Sequence, residues 1–242
     1  MAEDRAAFYA LSPGGWRDYW TVLHPPYTVW HVSYVAIAAA VASRIETRWL
    51  LETMLAFFLA VGVSAHALDE LNGRPLRTRI PAAVLWTLAV AGLAGAAALG
   101  VDGAIETSPW IVAFIAVGGF LVVAYNLELF GGLFHTNAWF AIAWGAFPAL
   151  TSAFVQQGRV TVAAVLVACA CAFVSAGQRF LSTPVRRLRR HVVRVSGELE
   201  LDDGARETVD AASLRAAPER ALRVLSFAMP LLALGLVVSR LP

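Results

Sequence analysis

Several long stretches of this chain carry no charged residue, and this feature most strongly limits the folds open to it. A helix needs about 20 apolar residues to cross the hydrocarbon core of a bilayer, and the uncharged stretches reach that length. Hydrophobic residues make up 59% of the 242 positions and charged residues only 15%, whereas soluble domains carry about 25% charged residues. We therefore expect an all-α, polytopic transmembrane bundle of about seven helices.

Each predicted span is an apolar segment bounded by polar residues. The predicted spans are Tyr27–Ser43, Trp49–Leu68, Ala82–Gly100, Pro109–Leu127, Ala138–Val155, Val160–Ala176 and Ala221–Val238. Residues 1–242 then form a single integral membrane domain, in which 182–220 is a polar cytoplasmic loop. Because the first twenty residues mix polar and aromatic side chains, no cleavable signal peptide is expected. The expected location is the cytoplasmic membrane.

The distribution of basic residues predicts the orientation of the bundle. All 19 basic residues are arginines; three follow the second span, ten lie between positions 179 and 223, and the loop after the third span has none. Positive charge is retained on the cytoplasmic side of a membrane. We therefore expect the N-terminus and the loops after spans two, four and six to be cytoplasmic.

The basic run at the start of the polar segment has two interpretations. Residues 184–191 read Pro-Val-Arg-Arg-Leu-Arg-Arg-His. The first is a solvated loop whose charge sets the orientation of the protein in the membrane. The second is an amphipathic helix that lies along anionic headgroups. In both cases we expect His191 to be exposed and without a chemical role.

Ionisable residues gather at one border of the predicted membrane domain. The residues of this polar layer are His24, His31, His66, Asp69, Glu70, Glu128 and His135. They come from different spans, yet all lie near the cytoplasmic ends of those spans. Ionisable groups in a bilayer are costly and usually functional. Their shared depth therefore predicts one functional site near the cytoplasmic side.

Local spacing within this layer indicates a metal site. His66 and Glu70 are four residues apart, which places them on one helical face. Two glycines between Glu128 and His135 permit a tight turn that brings both side chains back to one cavity. Imidazole and carboxylate ligands suit iron or zinc, and two ions are possible with this many donors. The expected ligands are His31, His66, Glu70, Glu128 and His135, with His24 and Asp69 in supporting positions.

Two segments resemble the UbiA prenyltransferase superfamily. His66-Ala-Leu-Asp69-Glu70-Leu-Asn-Gly-Arg74-Pro75 looks like its first aspartate-rich motif, and Tyr125 followed by Trp144-Gly145-Ala-Phe-Pro148 is similar to its fourth-to-fifth helix region. The likeness covers roughly residues 60–180. It implies a UbiA-like fold, Mg²⁺ with an isoprenyl diphosphate, and substrate contacts from Arg74 and Tyr125.

The sequence also departs from that family. The place of its second aspartate-rich motif reads Ser175-Ala-Gly-Gln178-Arg179, without an acid, and His66 stands among the expected ligands. The main hypothesis is therefore a membrane metalloenzyme that acts on a lipid or isoprenoid through activated water or through iron and O₂. The alternatives are a UbiA-type prenyltransferase and a non-enzymatic metal transporter or membrane partner subunit. No nucleic-acid partner is expected.

Overall fold

The structure, a computed structural model, describes residues 5–240 and is mostly helical. Its helices are α1 Trp16–Leu23, α2 Pro25–Ala39, α3 Thr47–Leu71, α4 Ala82–Glu106, α5 Ile111–Asn126, α6 Asn137–Gln157, α7 Val162–Arg190 and α8 Ala211–Val238, with a helical turn at Leu129–Gly132. Between α7 and α8, β1 Gly197–Glu200 pairs antiparallel with β2 Arg206–Val209.

Within residues 5–240, five helices are long and apolar enough to cross a membrane: α3, α4, α6, α7 and α8. This agrees with a multi-pass helical membrane protein. These five helices correspond to predicted spans two, three, five, six and seven. Helix α2 has 15 residues and α5 has 16, so both are shorter than the roughly 20 residues that span a bilayer.

Helix α2 lies in the core of the bundle. Ten of its 15 residues are buried, and hydrogen bonds tie it to its neighbours. The indole Nε1–H of Trp30 donates to the hydroxyl of Tyr34 at 2.6 Å, and the hydroxyl of Ser175 in α7 donates to the same atom at 3.1 Å. Ser152 in α6 donates to the carbonyl of Val35 at 2.7 Å. These bonds satisfy polar groups that no solvent reaches.

In the part of the chain that the structure describes, α3 and α6 each contain a π-helical segment, at Phe58–Ala65 and Ile142–Ala146. Such segments are rare in proteins, and those that do occur often lie at functional sites. The first ends directly before His66, and the second contains Trp144. Gly145 in the second segment packs against α7 so closely that a Cβ there would lie 2.6 Å from the carbonyl oxygen of Cys171.

The polar segment at 182–220 is largely ordered. Helix α7 continues through Pro184 to Arg190, so the basic run is helical as far as the residue before His191. Helix α8 begins at Ala211 with a capping box, in which Asp210 accepts from the amide of Ser213. Only residues 191–210, which include the β1–β2 hairpin, lie between the two helices.

At the other end of α3, one arginine joins three carboxylates. Arg48 contacts Glu52 at 2.8 Å, Asp102 at 2.7 Å and Glu106 at 2.7 Å. These contacts tie the start of α3 to the end of α4. The end of the bundle that carries them is opposite to the end where α3 reaches His66.

Candidate functional site

A polar cavity of about 390 Å³ lies where α2 begins and α3 and α5 end. All five histidines line it, as do Asp69 and Glu128 from the polar layer. Tyrosines and arginines also line it, namely Tyr9, Tyr27, Tyr125, Arg179, Arg186 and Arg190, together with the neutral polar residues Asn72, Asn126, Gln178 and Ser182. The cavity therefore brings together side chains from helices that are far apart in sequence.

His24 and His66 form a stacked pair in this cavity. Their ring centroids are 4.1 Å apart and the planes differ by 26°. Nδ1 of His24 lies 2.6 Å from the carbonyl oxygen of Val22, and Nδ1 of His66 lies 3.1 Å from that of Gly62. Because a carbonyl oxygen only accepts, a neutral His24 ring carries its proton on Nδ1 and its lone pair on Nε2.

His31 and Tyr125 each leave a buried polar atom without a partner among residues 5–240, Nδ1 and the hydroxyl respectively. The two residues are only 3% and 4% exposed, and both line the cavity. Nε2 of His31 donates to Oε1 of Gln178 at 2.9 Å, which leaves the lone pair on Nδ1. Buried polar groups are usually paired. The cavity thus offers a ligand one buried acceptor and one buried hydroxyl.

The glycine-rich turn after α5 brings Glu128 and His135 to the same place. Glu128 has φ +50° and Gly131 has φ +66°, so the chain turns sharply here. Nδ1 of His135 donates to the carbonyl of Tyr125 at 3.0 Å and lies 3.8 Å from Oε1 of Glu128. Its Nε2 lies 3.5 Å from a guanidinium nitrogen of Arg179. That side of the imidazole therefore faces a cation.

Glu70 and Arg74 hold the loop after α3 and do not line the cavity. Glu70 is fully buried, and its two oxygens accept from the amides of Leu76 and Thr78, both at 2.9 Å, and from the hydroxyl of Thr78 at 2.8 Å. Arg74 donates to the carbonyl of Ile80 at 2.6 Å. Both oxygens of Glu70 and Nη1 of Arg74 are thus engaged by the loop, and the metal-binding role expected of Glu70 and the substrate contact expected of Arg74 stay predictions.

The donors expected from the sequence do not fit a metal ion. In the described residues, no group of three or more His, Cys, Asp or Glu side chains is placed to hold one. Both oxygens of Glu70 accept hydrogen bonds from the loop, and Nε2 of His135 faces a guanidinium that would repel a metal ion. Glu128 is about half exposed.

Helix α7 contributes arginines to the cavity from a single face. Arg179, Arg186 and Arg190 are spaced by seven and four residues, which aligns them along one stripe. Their hydrogen-bond partners carry no negative charge: oxygens of Asn137, Thr183 and Ala6, and Nε2 of His135. Among the described residues, no carboxylate lies within ion-pair distance of these three guanidinium groups. The cavity wall therefore holds positive charge that an anionic ligand would neutralise.

The segment before α1 covers part of the cavity, and residues 6–9 line it. The ring of Tyr9 packs against His24 at 5.3 Å and against Tyr27 at 5.4 Å. Nε of Arg190 donates to the carbonyl of Ala6 at 3.3 Å. Burial raises the pKa of Tyr9 well above its ordinary value, so its hydroxyl stays protonated at neutral pH.

Sequence reasoning missed most of the α7 contribution. Gln178 and the three arginines were not expected in the site, and His191, expected to have no role, is exposed but also lines the cavity. Their spacing was the available signal, since positions 179, 182, 186 and 190 follow one helical face. That signal required the helix to continue past Ser182, where the sequence predicts a loop.

A second, apolar cavity of about 350 Å³ lies between α3, α4, α5 and α6. Apart from Glu52 and two threonines, its wall consists of aliphatic, aromatic and glycine residues. Trp144, in the π segment of α6, lines both cavities. The polar and apolar cavities are therefore neighbours that share Trp144.

The chain matches no family model, no curated protein and no solved structure. The resemblance to the UbiA superfamily therefore rests on the motifs within residues 60–180, and the function proposed below rests on the geometry of the cavity.

Proposed function

We propose that this protein is an integral membrane enzyme that acts on a lipid or isoprenoid whose phosphate-bearing head enters the polar cavity. The observation that carries this proposal is the pair of buried, unpartnered polar atoms, Nδ1 of His31 and the hydroxyl of Tyr125. Both line a cavity whose arginines have no described carboxylate partner.

Phosphate recognition follows from the type of cation in the wall. A guanidinium offers several donors in a planar fork and matches phosphate oxygens better than an ammonium group does. Arg179, Arg186 and Arg190 lie along one face of α7, and none of their hydrogen-bond partners is a carboxylate. A phosphate would gain charge-assisted hydrogen bonds from them. The apolar cavity beside Trp144 makes a hydrocarbon substituent compatible with the same ligand.

His31 is the group best placed to accept a proton from such a ligand. Gln178 fixes its tautomer, so the lone pair is on Nδ1, which has no partner among residues 5–240, and His31 lines the cavity. As the oxygen of a bound water attacks the phosphorus, Nδ1 takes a proton from that water, the bond between phosphorus and the lipid oxygen breaks, and the leaving oxygen then takes this proton back from the imidazolium to form the alcohol. This imidazolium keeps its hydrogen bond to Gln178. Tyr125 can donate to an oxygen that gains charge during the reaction.

The second candidate function is prenyl transfer, and the arginine-lined wall favours it equally. An isoprenyl diphosphate is also an anionic head on an apolar chain. Asp69 and Glu128 line the cavity and would be the carboxylates closest to a Mg²⁺-diphosphate. Turnover of an isoprenyl diphosphate that requires Mg²⁺ would select this function over the first.

A binding experiment tests the shared feature of both functions. Farnesyl phosphate and farnesol are titrated into the detergent-solubilised full chain. Because a hydrogen bond to a charged group contributes about 1.5–3 kcal/mol, we expect Arg179→Gln, Arg186→Gln and Arg190→Gln each to weaken phosphate binding about tenfold or more. Farnesol binding should not change. Arg187→Gln is the matched control, since Arg187 is exposed and does not line the cavity.

Equal affinity for farnesyl phosphate in the wild type and all three cavity variants would contradict the proposal. Tyr125→Phe tests the unpaired hydroxyl, because it removes only that group. We expect this variant to retain the fold and to bind farnesyl phosphate more weakly than the wild type. A normal affinity in this variant would remove Tyr125 from the site.

We also propose the membrane topology that this function requires, with seven spans and a cytoplasmic N-terminus. Helices α2 and α5 complete the bundle, and α2 is enclosed by longer helices. The arginine-rich end of α7 and the polar cavity then face the cytoplasm. A Cys at Gly204, in the hairpin, tests this in a variant without Cys169 and Cys171. We expect no labelling by an impermeant reagent in intact cells, and efficient labelling from outside would overturn the orientation.

A further inference from the structure

One residue that lines the apolar cavity has a buried polar atom without a hydrogen-bond partner. Oε2 of Glu52 is buried and has no hydrogen-bond partner among residues 5–240, and Glu52 lines the cavity. Its other oxygen, Oε1, accepts from Nε of Arg48 at 2.8 Å. A carboxylate oxygen can only accept when ionised. A ligand that satisfies it must therefore present a donor.

The cavity extends away from Glu52 along the bundle. Its wall on α3 runs from Trp49 to Val61, and the part from Glu52 to Val61 corresponds to about 13 Å of helix. Gly119 on α5 and Trp144 on α6 line other parts of it. A ligand that fills this space has a donor at one end and an apolar body that reaches toward Trp144.

The charge around Glu52 decides which donor fits best. Arg48 is the cation that contacts Glu52, and it also binds Asp102 and Glu106. Three carboxylates around one guanidinium leave an excess of negative charge at this end of the cavity. A protonated amine neutralises part of that charge and also donates a hydrogen bond, whereas a hydroxyl does only the second.

We propose that the apolar cavity is a binding site for a hydrophobic primary amine, whose ammonium group meets Oε2 of Glu52 and whose hydrocarbon chain lies along α3 toward Trp144. The ammonium end of this site lies at Glu52, a residue that the function proposed above does not use, and the site shares Trp144 with the polar cavity. It uses the oxygen that the protein itself leaves unpaired.

Photolabelling of the full chain tests this site. The probe is a long-chain primary amine with a diazirine in its hydrocarbon chain, and the reference probe has a methyl group in place of the amine. We expect the amine probe to label residues of α3, α4 and α5 that line the cavity. Glu52→Leu should lower amine labelling about tenfold, because it removes a hydrogen bond to a charged group, and should leave labelling by the reference probe unchanged.

A substitution that fills the cavity provides a second test of the site. A Cβ at Gly119 meets nothing within 4 Å, so Gly119→Leu fills the cavity without a clash and should abolish labelling by both probes. Gly235→Leu is the control, because Gly235 is equally free of neighbours on α8 and lies outside the cavity. If Glu52→Leu does not fold, Glu52→Gln should lower amine labelling and spare the matching long-chain alcohol. Equal amine labelling in the wild type and the Glu52 variant, or in the wild type and Gly119→Leu, would overturn the proposal.

Discussion

Nε2 of His31 donates a hydrogen bond to Oε1 of Gln178, which lies 147 positions later in the chain, at 2.9 Å. This contact joins α2 to α7 at the wall of the polar cavity and determines which nitrogen of His31 has a free lone pair. Gln178 is therefore a positioning residue for the group that we propose as proton acceptor.

Replacing Gln178 by Leu should affect both stability and the tautomer of His31. The substitution leaves a buried N–H without an acceptor, which costs about 1–3 kcal/mol of unfolding free energy. ¹⁵N NMR of histidine-labelled protein should show His31 as a mixture of tautomers. Gln178→Glu keeps an acceptor and should keep the single tautomer. A single, unchanged tautomer in Gln178→Leu would contradict the assignment.

Replacing Glu70 by Ala should loosen the loop between α3 and α4. The carboxylate accepts from Leu76 and Thr78, and the loss of these charge-assisted bonds should lower the unfolding free energy by about 3 kcal/mol or more. Limited proteolysis should then cut within residues 72–81. Glu128→Ala, at a half-exposed side chain, is the control and should change neither measurement. A resistant loop in Glu70→Ala would argue against this structural role.

Elemental analysis addresses the metal site that the sequence suggests. Because both oxygens of Glu70 are engaged and His135 faces Arg179, we expect iron and zinc well below one ion per chain after purification without added metal. The result that would restore the metal site is one ion per chain that is lost in His31→Ala and His66→Ala while the folded fraction is unchanged.

A pair of glycine substitutions tests the packing of the second π segment. A Cβ at Gly145 would lie 2.6 Å from the carbonyl oxygen of Cys171 and 2.8 Å from the hydroxyl of Ser175. Gly145→Ala should therefore destabilise the protein by about 1–3 kcal/mol, measured as a lower melting temperature. Gly177→Ala meets nothing within 4 Å and should be neutral or slightly stabilising. Equal melting temperatures would show that α6 does not approach α7 this closely.

The N-cap of α8 should depend on pH. Hydrogen bonding from Ser213 lowers the pKa of Asp210 below its ordinary value, so the ionised carboxylate stabilises the folded helix. This contribution is complete above the unfolded pKa of about 4 and is lost as pH falls through the folded value. Amide exchange at Ser213 should therefore quicken, relative to the solvent-driven rate, in acid and in Asp210→Ala. Unchanged protection in Asp210→Ala would contradict the cap.

The sequence predicted the apolar helices better than the site. Hydropathy identifies α3, α4, α6, α7 and α8 because lipid-facing residues have no alternative to being apolar. The polar layer was also visible, because ionisable residues are rare in such segments. Depth along a helix is set by sequence position, so this part of the prediction needed no tertiary information.

The roles of individual residues were not accessible in the same way. Glu70 shares a helical face with His66 by spacing, yet its carboxylate turns to the backbone of a loop that follows it. No pattern in the sequence shows that unpaired amides will lie there. The π segment before His66 adds a further change, because it alters the residue count per turn within α3. Arg179 was assigned to orientation alone because α7 was expected to end before it.

The contact between Arg190 and the backbone of Ala6 has a practical meaning for anyone who handles this protein. Residues 6–9 form part of the cavity wall, so an affinity tag, a fluorescent fusion or a capture surface joined directly ahead of them would crowd the site. Attachment after α8 avoids this, because that helix ends at Val238 and its last turn does not line either cavity. Ligand titrations should therefore use material immobilised through the carboxyl end.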